Sequence, residues 1–368
     1  MAAGYIFNMD SKKSIESCFK KGIYATLMNK KWTSPTDSVF ADYLGMRPCD
    51  NVYFFSDRKI YGIGEIIEAN PTHMCNPHAS EPLYNYKKRG KIQRWGCAFK
   101  PAPYFFQNGV DMDDTLQSAP NAFKTLRAFE RVSFIKIDDF ENQALKDYIL
   151  YYNREVLGKT PSNKEIYKCD SAKLAKCAED LKRKNGSLNP SPFFDWAQNK
   201  NKTKYRRESA LECNLMWDFA SRACDSAKIF GDWDFVSHQV VASPFKPIFY
   251  MDRMDIFGYE YIPNHSPTIL KYKVCELKKD EAGEKEINQC MKYVDWIRDT
   301  YANGDYSKIK AYLVASSFNL CEGWRDCIQR NYVSGSHDLI ALCWNDLTLV
   351  QYRYDSTQKR AIYEIYNA

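Results

Sequence analysis

The sequence has no uninterrupted apolar run long enough to span a bilayer, and its N-terminus lacks the pattern of a secretion signal. It also has no Cys-x-x-Cys pair, although it contains 13 cysteines among 368 residues. Single, scattered cysteines are typical of a reducing compartment, where cysteine serves as a small core residue. We therefore expect a soluble, cytoplasmic protein with no membrane partner.

A strong excess of one charge sign is missing as well. The chain has 52 basic and 46 acidic residues, a net charge of +6. This balance is compatible with a phosphate-backbone partner but does not require one, so any basic surface must be local. The candidate phosphate-binding residues are Arg58 and Lys59 in one predicted turn, and Lys88 and Arg89 in a basic run. Their alternative role is that of ordinary charged turn residues.

Internal repeats and low-complexity tracts are also absent, and the length suggests two or three domains. Residues 1–138 consist mostly of short β-type runs separated by turns. Two of these runs, 51–55 and 60–67, flank a polar turn and predict a β-hairpin. So many short strands pack most naturally as a small, closed or half-closed β-barrel.

Residues 46–55, followed by Lys-Ile-Tyr-Gly-Ile-Gly-Glu at 59–65, resemble the central hairpin of PUA-like domains of the EVE and ASCH kind. The resemblance implies nucleic-acid binding, with a flipped, modified base held in an aromatic pocket in some members. Trp32, Tyr61 and Trp95 are the candidate rings of such a pocket. For each of these rings taken singly, packing in the hydrophobic core is the competing explanation.

Residues 139–204 show helical periodicity interrupted by turn residues, among them Gly158 and Pro161. We interpret this segment as a helical connector. Residues 205–368 alternate helix, strands, helix and strands, which predicts a second, α/β module. The expected protein is thus a two-module chain of β-rich and α/β character.

The segment 268–278 contains the candidate residues of a catalytic site. Val274, Glu276 and Lys278 share one side of this predicted strand, because strand side chains alternate with period two. If His265 and Ser266 form a two-residue loop, Asp255 lies directly across from Glu276 on the preceding strand. Like charges in that position destabilise a sheet unless a cation lies between them.

A one-residue slip in this register would turn Asp255 to the other face and make Asp252 the candidate acid. Two carboxylates and the carbonyl of Leu277 suit Mg²⁺, for which Mn²⁺ can substitute. The ion would activate water, and Lys278 would orient that water or stabilise developing charge.

Two further residues lie on helices that flank these strands. Gln289 follows on the next predicted helix, and Glu212 lies on the helix before the strands. Each can reach the same site, and each has an alternative as an ordinary polar residue of an amphipathic helix.

The order of these residues resembles the core of PD-(D/E)XK nucleases, in particular the NucS-like branch, over about residues 205–320. The motif consists of Glu212, Asp255, Glu276 with Lys278, and Gln289. The resemblance implies a mixed sheet flanked by helices, Mg²⁺-dependent hydrolysis of DNA, and often a homodimer. The proline of the name motif is absent before Asp255, and the mismatch specificity of that branch is not carried over.

A zinc site from His73, Cys75, His78 and Cys97 is disfavoured, because their spacing matches no standard pattern. The sequence therefore predicts a DNA endonuclease that acts on duplex, modified DNA in restriction or phage defence. A DNA-repair nuclease, a non-catalytic nucleic-acid sensor and an RNA substrate stay open as alternatives.

Overall fold

The computed structural model describes residues 2–29, 34–70, 91–128, 134–185, 190–221, 224–243, 251–334 and 340–367. Within these ranges the protein is mixed α/β, with a curled half-barrel sheet and a separate mixed sheet with helices. None of the helices in these ranges combines the length and apolar character needed to cross a membrane.

The strands, in chain order, are β1 (Gly4–Asn8), β2 (Ile23–Asn29), β3 (Asn51–Ser56), β4 (Lys59–Asn70), β5 (Lys91–Pro101), β6 (Phe105–Phe106), β7 (Val110–Asp111), β8 (Phe134–Ile137), β9 (Ile166–Tyr167), β10 (Phe235–Val241), β11 (Arg253–Tyr261), β12 (Ile269–Leu277), β13 (Glu281–Ala282), β14 (Ile309–Ala315), β15 (Ser317–Phe318), β16 (Arg330–Ser334), β17 (Ile340–Trp344), β18 (Leu347–Asp355) and β19 (Arg360–Ile365). The helices are α1 (Lys12–Lys21), α2 (Ser34–Leu44), α3 (Met112–Ser118), α4 (Asp139–Tyr152), α5 (Arg154–Leu157), α6 (Ser171–Asn185), α7 (Ser191–Ala197), α8 (Glu208–Ser221), α9 (Cys224–Phe230), α10 (Glu284–Thr300) and α11 (Trp324–Ile328). The chain divides into two compact units, one of Met1–Trp32 with Met46–Pro190, the other of Thr33–Gly45 with Ser191–Ala368.

The first unit contains a seven-stranded sheet in the order β2-β5-β4-β3-β1-β8, with β7 paired to β4. The predicted hairpin is confirmed as β3 and β4, whose strands close at the Ser56–Lys59 pair. Asp57 and Arg58 in its turn both have positive φ, which matches the twist of a tight hairpin. No pairing joins the end strands β2 and β8 in the described ranges, so the sheet forms a half-barrel there.

Helices from the segment predicted as a connector pack against this first sheet. Leu145 and Ile149 of α4 share a buried core with Ile6 and Tyr53. The next long helix, α6, contacts β4 and β5. Residues 139–185 therefore contribute to the hydrophobic core of the first unit.

The second unit is built on a six-stranded mixed sheet in the order β10-β11-β12-β14-β18-β19. The central pairs β12–β14 and β14–β18 are parallel, and the outer pairs are antiparallel. Helix α10 contacts β12 and β14, whereas α8 contacts β10, β11, β12 and β19. Both helices therefore meet β12, the strand that carries Glu276.

The predicted register of the β11–β12 hairpin is confirmed by the Ile256–Cys275 and Gly258–Lys273 pairs. The predicted two-residue loop is wrong. A bulge interrupts the ladder at Glu260 and Tyr261, and the chain turns over residues 262–268. Prolines 263 and 267 lie in this turn and have no N–H group to donate to a ladder, so the strands cannot continue to a tight turn.

Helix α2, which the sequence patterns did not predict, belongs to the second unit and packs on α8. The side chain of Asp37 is fully buried and accepts hydrogen bonds from Arg207 Nε and Nη2, at 2.8 and 2.9 Å. Ser209 Oγ donates to the same carboxylate at 2.7 Å. This two-pronged ion pair attaches α2 to the start of α8.

We expect Asp37→Ala to lower the free energy of unfolding by about 3–5 kcal/mol, because it leaves the guanidinium of Arg207 without its buried partner. Asp225→Ala is the matched control in the same unit, since Asp225 pairs with Lys228 through side chains that are 75% exposed. The control should change stability by about 0.5 kcal/mol or less. Denaturant unfolding of both variants measures the difference, and equal effects would contradict the proposed anchoring of α2.

Candidate active site

Asp255 and Glu276 meet at the ends of the two adjacent strands β11 and β12. Asp255 precedes Ile256, and Glu276 follows Cys275, the residue paired directly with Ile256, so the confirmed register brings the two acids side by side. Asp255 Oδ2 accepts a hydrogen bond from Leu277 N at 2.8 Å. The carboxyl group of Glu276, which is fully buried, contacts that of Asp255.

Burial and proximity make this carboxyl pair electrostatically costly. Burial raises the pKa of Asp255 well above its usual value, and the negative charge of Glu276 raises it further. Burial also raises the pKa of Glu276, against the opposing effect of Lys278. When both groups are ionised neither can donate, and Glu276 Oε2 has no hydrogen-bond donor among the described residues. The pair can accept a cation or a proton.

Lys278 lies beside this pair with its ammonium group directed at Glu276. Its Nζ is 2.7 Å from Glu276 Oε1 and 3.7 Å from Glu208 Oε1. Burial lowers the pKa of Lys278, but the neighbouring carboxylates outweigh this effect and raise it above its usual value. The side chain is 22% exposed, so a charged ammonium lies where the site opens to solvent.

Glu212 approaches the pair from α8. Its Oε1 accepts a hydrogen bond from Gln239 Nε2 at 3.0 Å and lies 3.0 Å from His238 Nδ1. The same amide nitrogen of Gln239 is 3.3 Å from Asp255 Oδ1. Gln239 therefore links the predicted helix acid to the predicted strand acid through one NH₂ group.

Gln289 lies on α10 and donates from Nε2 to the hydroxyl of Tyr293 at 3.0 Å. Burial raises the pKa of Tyr293, and the charges of Glu276 and Asp255 add to this rise. The phenol thus lies within electrostatic reach of the carboxyl pair. Among the described residues, Gln289 is linked to the site through Tyr293.

Sequence reasoning missed Glu208, His238 and Gln239. Glu208 could have been found, because it precedes Glu212 by four residues and so lies on the same face of α8. Gln239 could not, because its place depends on a left-handed backbone conformation, with φ of 52°.

The candidate residues of the first unit lie at separate positions. Tyr61 is only 6% exposed and packs against Gly109, where a Cβ atom would lie 2.7 Å from its ring. Arg58 is exposed and pairs with Asp113 at 2.6 Å, and Lys59 is exposed at the start of β4. Tyr61 is thus a core residue, and the two cations lie at the hairpin turn.

The remaining candidates are Trp32, Trp95, Lys88 and Arg89. Trp32, Lys88 and Arg89 lie outside the described residues, as does the side chain of Trp95. His73, Cys75 and His78 also lie outside them, whereas Cys97 is buried in β5.

No group of three or more His, Cys, Asp or Glu side chains is arranged as a metal site in the part of the chain that the structure describes. Mg²⁺ commonly uses a smaller protein donor set, one or two carboxylates completed by water and substrate phosphate. Asp255 and Glu276 fit that smaller set, because both are buried and Glu276 Oε2 has no donor.

No protein-family profile matches the chain, and no curated protein sequence matches it. One matching solved structure is that of the human THYN1 protein in complex with DNA containing 5-methylcytosine. The match covers 41% of this chain and 97% of that chain, at 12% sequence identity and a TM-score of 0.23. A TM-score of this size does not establish a shared fold. The PUA-like and PD-(D/E)XK resemblances therefore stay predictions.

We expect Asp255→Asn to raise the free energy of unfolding by about 1–3 kcal/mol at pH 8 in the presence of EDTA, because it removes a buried charge that faces Glu276. The folded-state pKa of Asp255 lies above the unfolded value near 3.8, so the wild type loses stability as the pH rises from that value. The gain should therefore grow from pH 4 to pH 8.

Asp252→Asn, which alters the exposed alternative acid on the same segment, is the matched control and should change the free energy of unfolding by about 0.5 kcal/mol or less. Denaturant unfolding across this pH range measures both variants. Mg²⁺ should then stabilise the wild type and the control but not Asp255→Asn. A destabilised Asp255→Asn protein in EDTA would contradict the electrostatic description of the pair.

Proposed function

We propose that this protein is a Mg²⁺-dependent DNA endonuclease that hydrolyses phosphodiester bonds. The observation that supports the proposal most is the buried Asp255–Glu276 pair on adjacent strands, with Lys278 paired to Glu276 at the solvent-facing end. A structural strand pair has no use for two like charges in contact. A hydrolase that must hold a cation beside its substrate has such a use.

The proposed chemistry divides among these residues. Asp255 and Glu276 hold the cation, with Mn²⁺ able to substitute for Mg²⁺. A bound cation of this kind lowers the pKa of water and neutralises negative charge on the phosphate under attack. Lys278 donates from its ammonium group to the attacking water or to a phosphate oxygen. Water adds to phosphorus and gives up a proton to solvent, the ester P–O bond breaks, and the leaving oxygen takes up a proton from solvent.

We further propose that the first unit reads a modified base, as in modification-dependent restriction or phage defence. The support is the β3–β4 hairpin, whose sequence resembles the central hairpin of PUA-like domains. At its turn lie Lys59 and Arg58, both exposed, and a phosphate would compete with Asp113 for Arg58. Base recognition by the first unit and hydrolysis by the second would explain why one chain carries both the PUA-like hairpin and the acidic motif.

A non-catalytic nucleic-acid sensor is the second candidate. It is favoured by the ion pair between Lys278 and Glu276, at 2.7 Å, which neutralises one of the two carboxylates without a cation. Such a sensor would bind DNA in the presence of Mg²⁺ and leave every substrate intact, so a cleavage assay separates the two candidates.

We expect Glu276→Ala and Lys278→Ala each to reduce the Mg²⁺-dependent cleavage rate by about 100-fold or more, because each loses charge stabilisation at the reacting phosphate. The matched controls are Glu322→Ala and Lys292→Ala, which alter exposed residues of the same unit. Cleavage of plasmid DNA with Mg²⁺ or Mn²⁺ measures all four. Cutting at the wild-type rate by both site variants would refute the nuclease proposal.

We expect modified DNA to be cut about 10-fold or more faster than unmodified DNA of identical sequence, since one methyl group in an apolar pocket discriminates by about 10–200-fold. Substrates should include 5-methylcytosine, the base in the human THYN1 complex, alongside mismatched duplexes and RNA. The Glu276→Ala protein serves as the blank for contaminating nucleases. Equal cleavage rates on modified and unmodified duplexes would refute the proposal that the first unit reads a modified base. Faster cleavage of a mismatched duplex would indicate a repair nuclease.

A further inference from the structure

Two consecutive residues of β10, His238 and Gln239, place polar atoms on the same oxygen of Glu212. In a regular strand, neighbouring side chains point to opposite faces. The exception arises at Gln239, whose φ of 52° is left-handed and unfavourable for a residue with a side chain.

The strand pairing records the same irregularity. His238 pairs with Ile256 and Val240 with Met254, whereas no pair is formed by Gln239 between them. The backbone carbonyl of Gln239 instead accepts a hydrogen bond from Arg253 Nη1 at 3.4 Å. The twisted backbone therefore moves the Gln239 amide out of the regular alternation and toward Glu212.

His238 is held from both sides. Its Nδ1 is 3.0 Å from Glu212 Oε1, and its Nε2 is 3.0 Å from Asp42 Oδ1, while its side chain is only 4% exposed. A ring that faces an ionised carboxylate with each nitrogen donates from both, which makes it an imidazolium ion. Burial acts to lower the pKa of His238, but the negative charges of Asp42 and Glu212 outweigh it and raise the pKa to about 10.

Asp42 belongs to α2, the helix that the Asp37–Arg207 ion pair attaches to α8. A helix remote in sequence from the carboxyl pair therefore supplies a carboxylate, that of Asp42, to the Nε2 side of His238. A continuous polar chain runs from Asp42 through His238 and Glu212 to Gln239 and Asp255.

We infer that His238 and Gln239 are positioning residues for the proposed nuclease: His238, backed by Asp42, fixes the Glu212 carboxylate, and the Gln239 amide ties Glu212 to Asp255. The inference rests on the proposed function. Without the two donors, the carboxylates of Glu212 and Asp255 lose the contacts that set their orientation. Because the groups of an active site must be held to within a fraction of an ångström, cleavage slows when this support is removed.

The decisive variant is Gln239→Gly, which removes the amide and at the same time relieves the left-handed backbone. We expect this protein to be at least as stable as the wild type, yet at least 10-fold slower at saturating DNA with an unchanged KM. The Mg²⁺ concentration for half-maximal activity should rise, because Asp255 is less well oriented. Gln358→Gly, at an exposed turn position, is the matched control and should cleave at the wild-type rate.

His238→Gln, Asp42→Asn and the double variant form a second test. If the residues act as one chain, the double variant should lose about as much activity as His238→Gln alone. Multiplicative losses would refute the role of Asp42 as the support of His238.

The outcomes distinguish this inference from the proposed function. Wild-type cleavage together with a fully active Gln239→Gly protein overturns the positioning role alone. A wild-type protein that cuts no DNA with Mg²⁺ or Mn²⁺ overturns the nuclease proposal, and this inference with it.

Discussion

The repulsion between two buried carboxyl groups is the constraint on which the second unit depends. Asp255 and Glu276 lie in contact on adjacent strands, where burial raises the pKa of both and the charge of Glu276 raises that of Asp255 further. Such a pair is costly, and ordinary strand pairs avoid it. The surrounding groups each reduce that cost: Leu277 N–H bonds to one carboxylate and the Lys278 ammonium to the other. Its retention in the interior of a sheet is explained by function better than by stability.

The fold supports this pair from two directions. The β11–β12 hairpin sets the two acids side by side, and α8 brings Glu212 and Glu208 toward them. Glu212 is in turn supported by His238, which extends the network away from the proposed substrate. The polar chain that ends on α2 therefore joins a helix from residues 34–44 to the carboxyl pair on β11 and β12.

Sequence patterns predicted the parts of this site that depend on local periodicity. The register of Asp255 and Glu276 follows from strand alternation, and it holds although the loop differs, because the bulge at Glu260 absorbs the change in loop length. Gln239 could not be predicted in the same way, since its role comes from one unfavourable φ angle. The docking of α2 was equally hidden, because Asp37 and Arg207 are 170 residues apart and no local pattern joins them.

The structure bears differently on the two resemblances seen in the sequence, the PUA-like hairpin and the acidic motif. The β3–β4 hairpin forms as the pattern requires, but Tyr61 within it is buried against Gly109, where it serves packing. The acidic motif behaves differently. Its residues come from separate strands and a helix, and they converge with a lysine on a single point that burial makes expensive. Folding alone does not require polar groups to meet in this way, so their convergence supports a chemical role for the second unit more strongly than the hairpin supports base reading by the first.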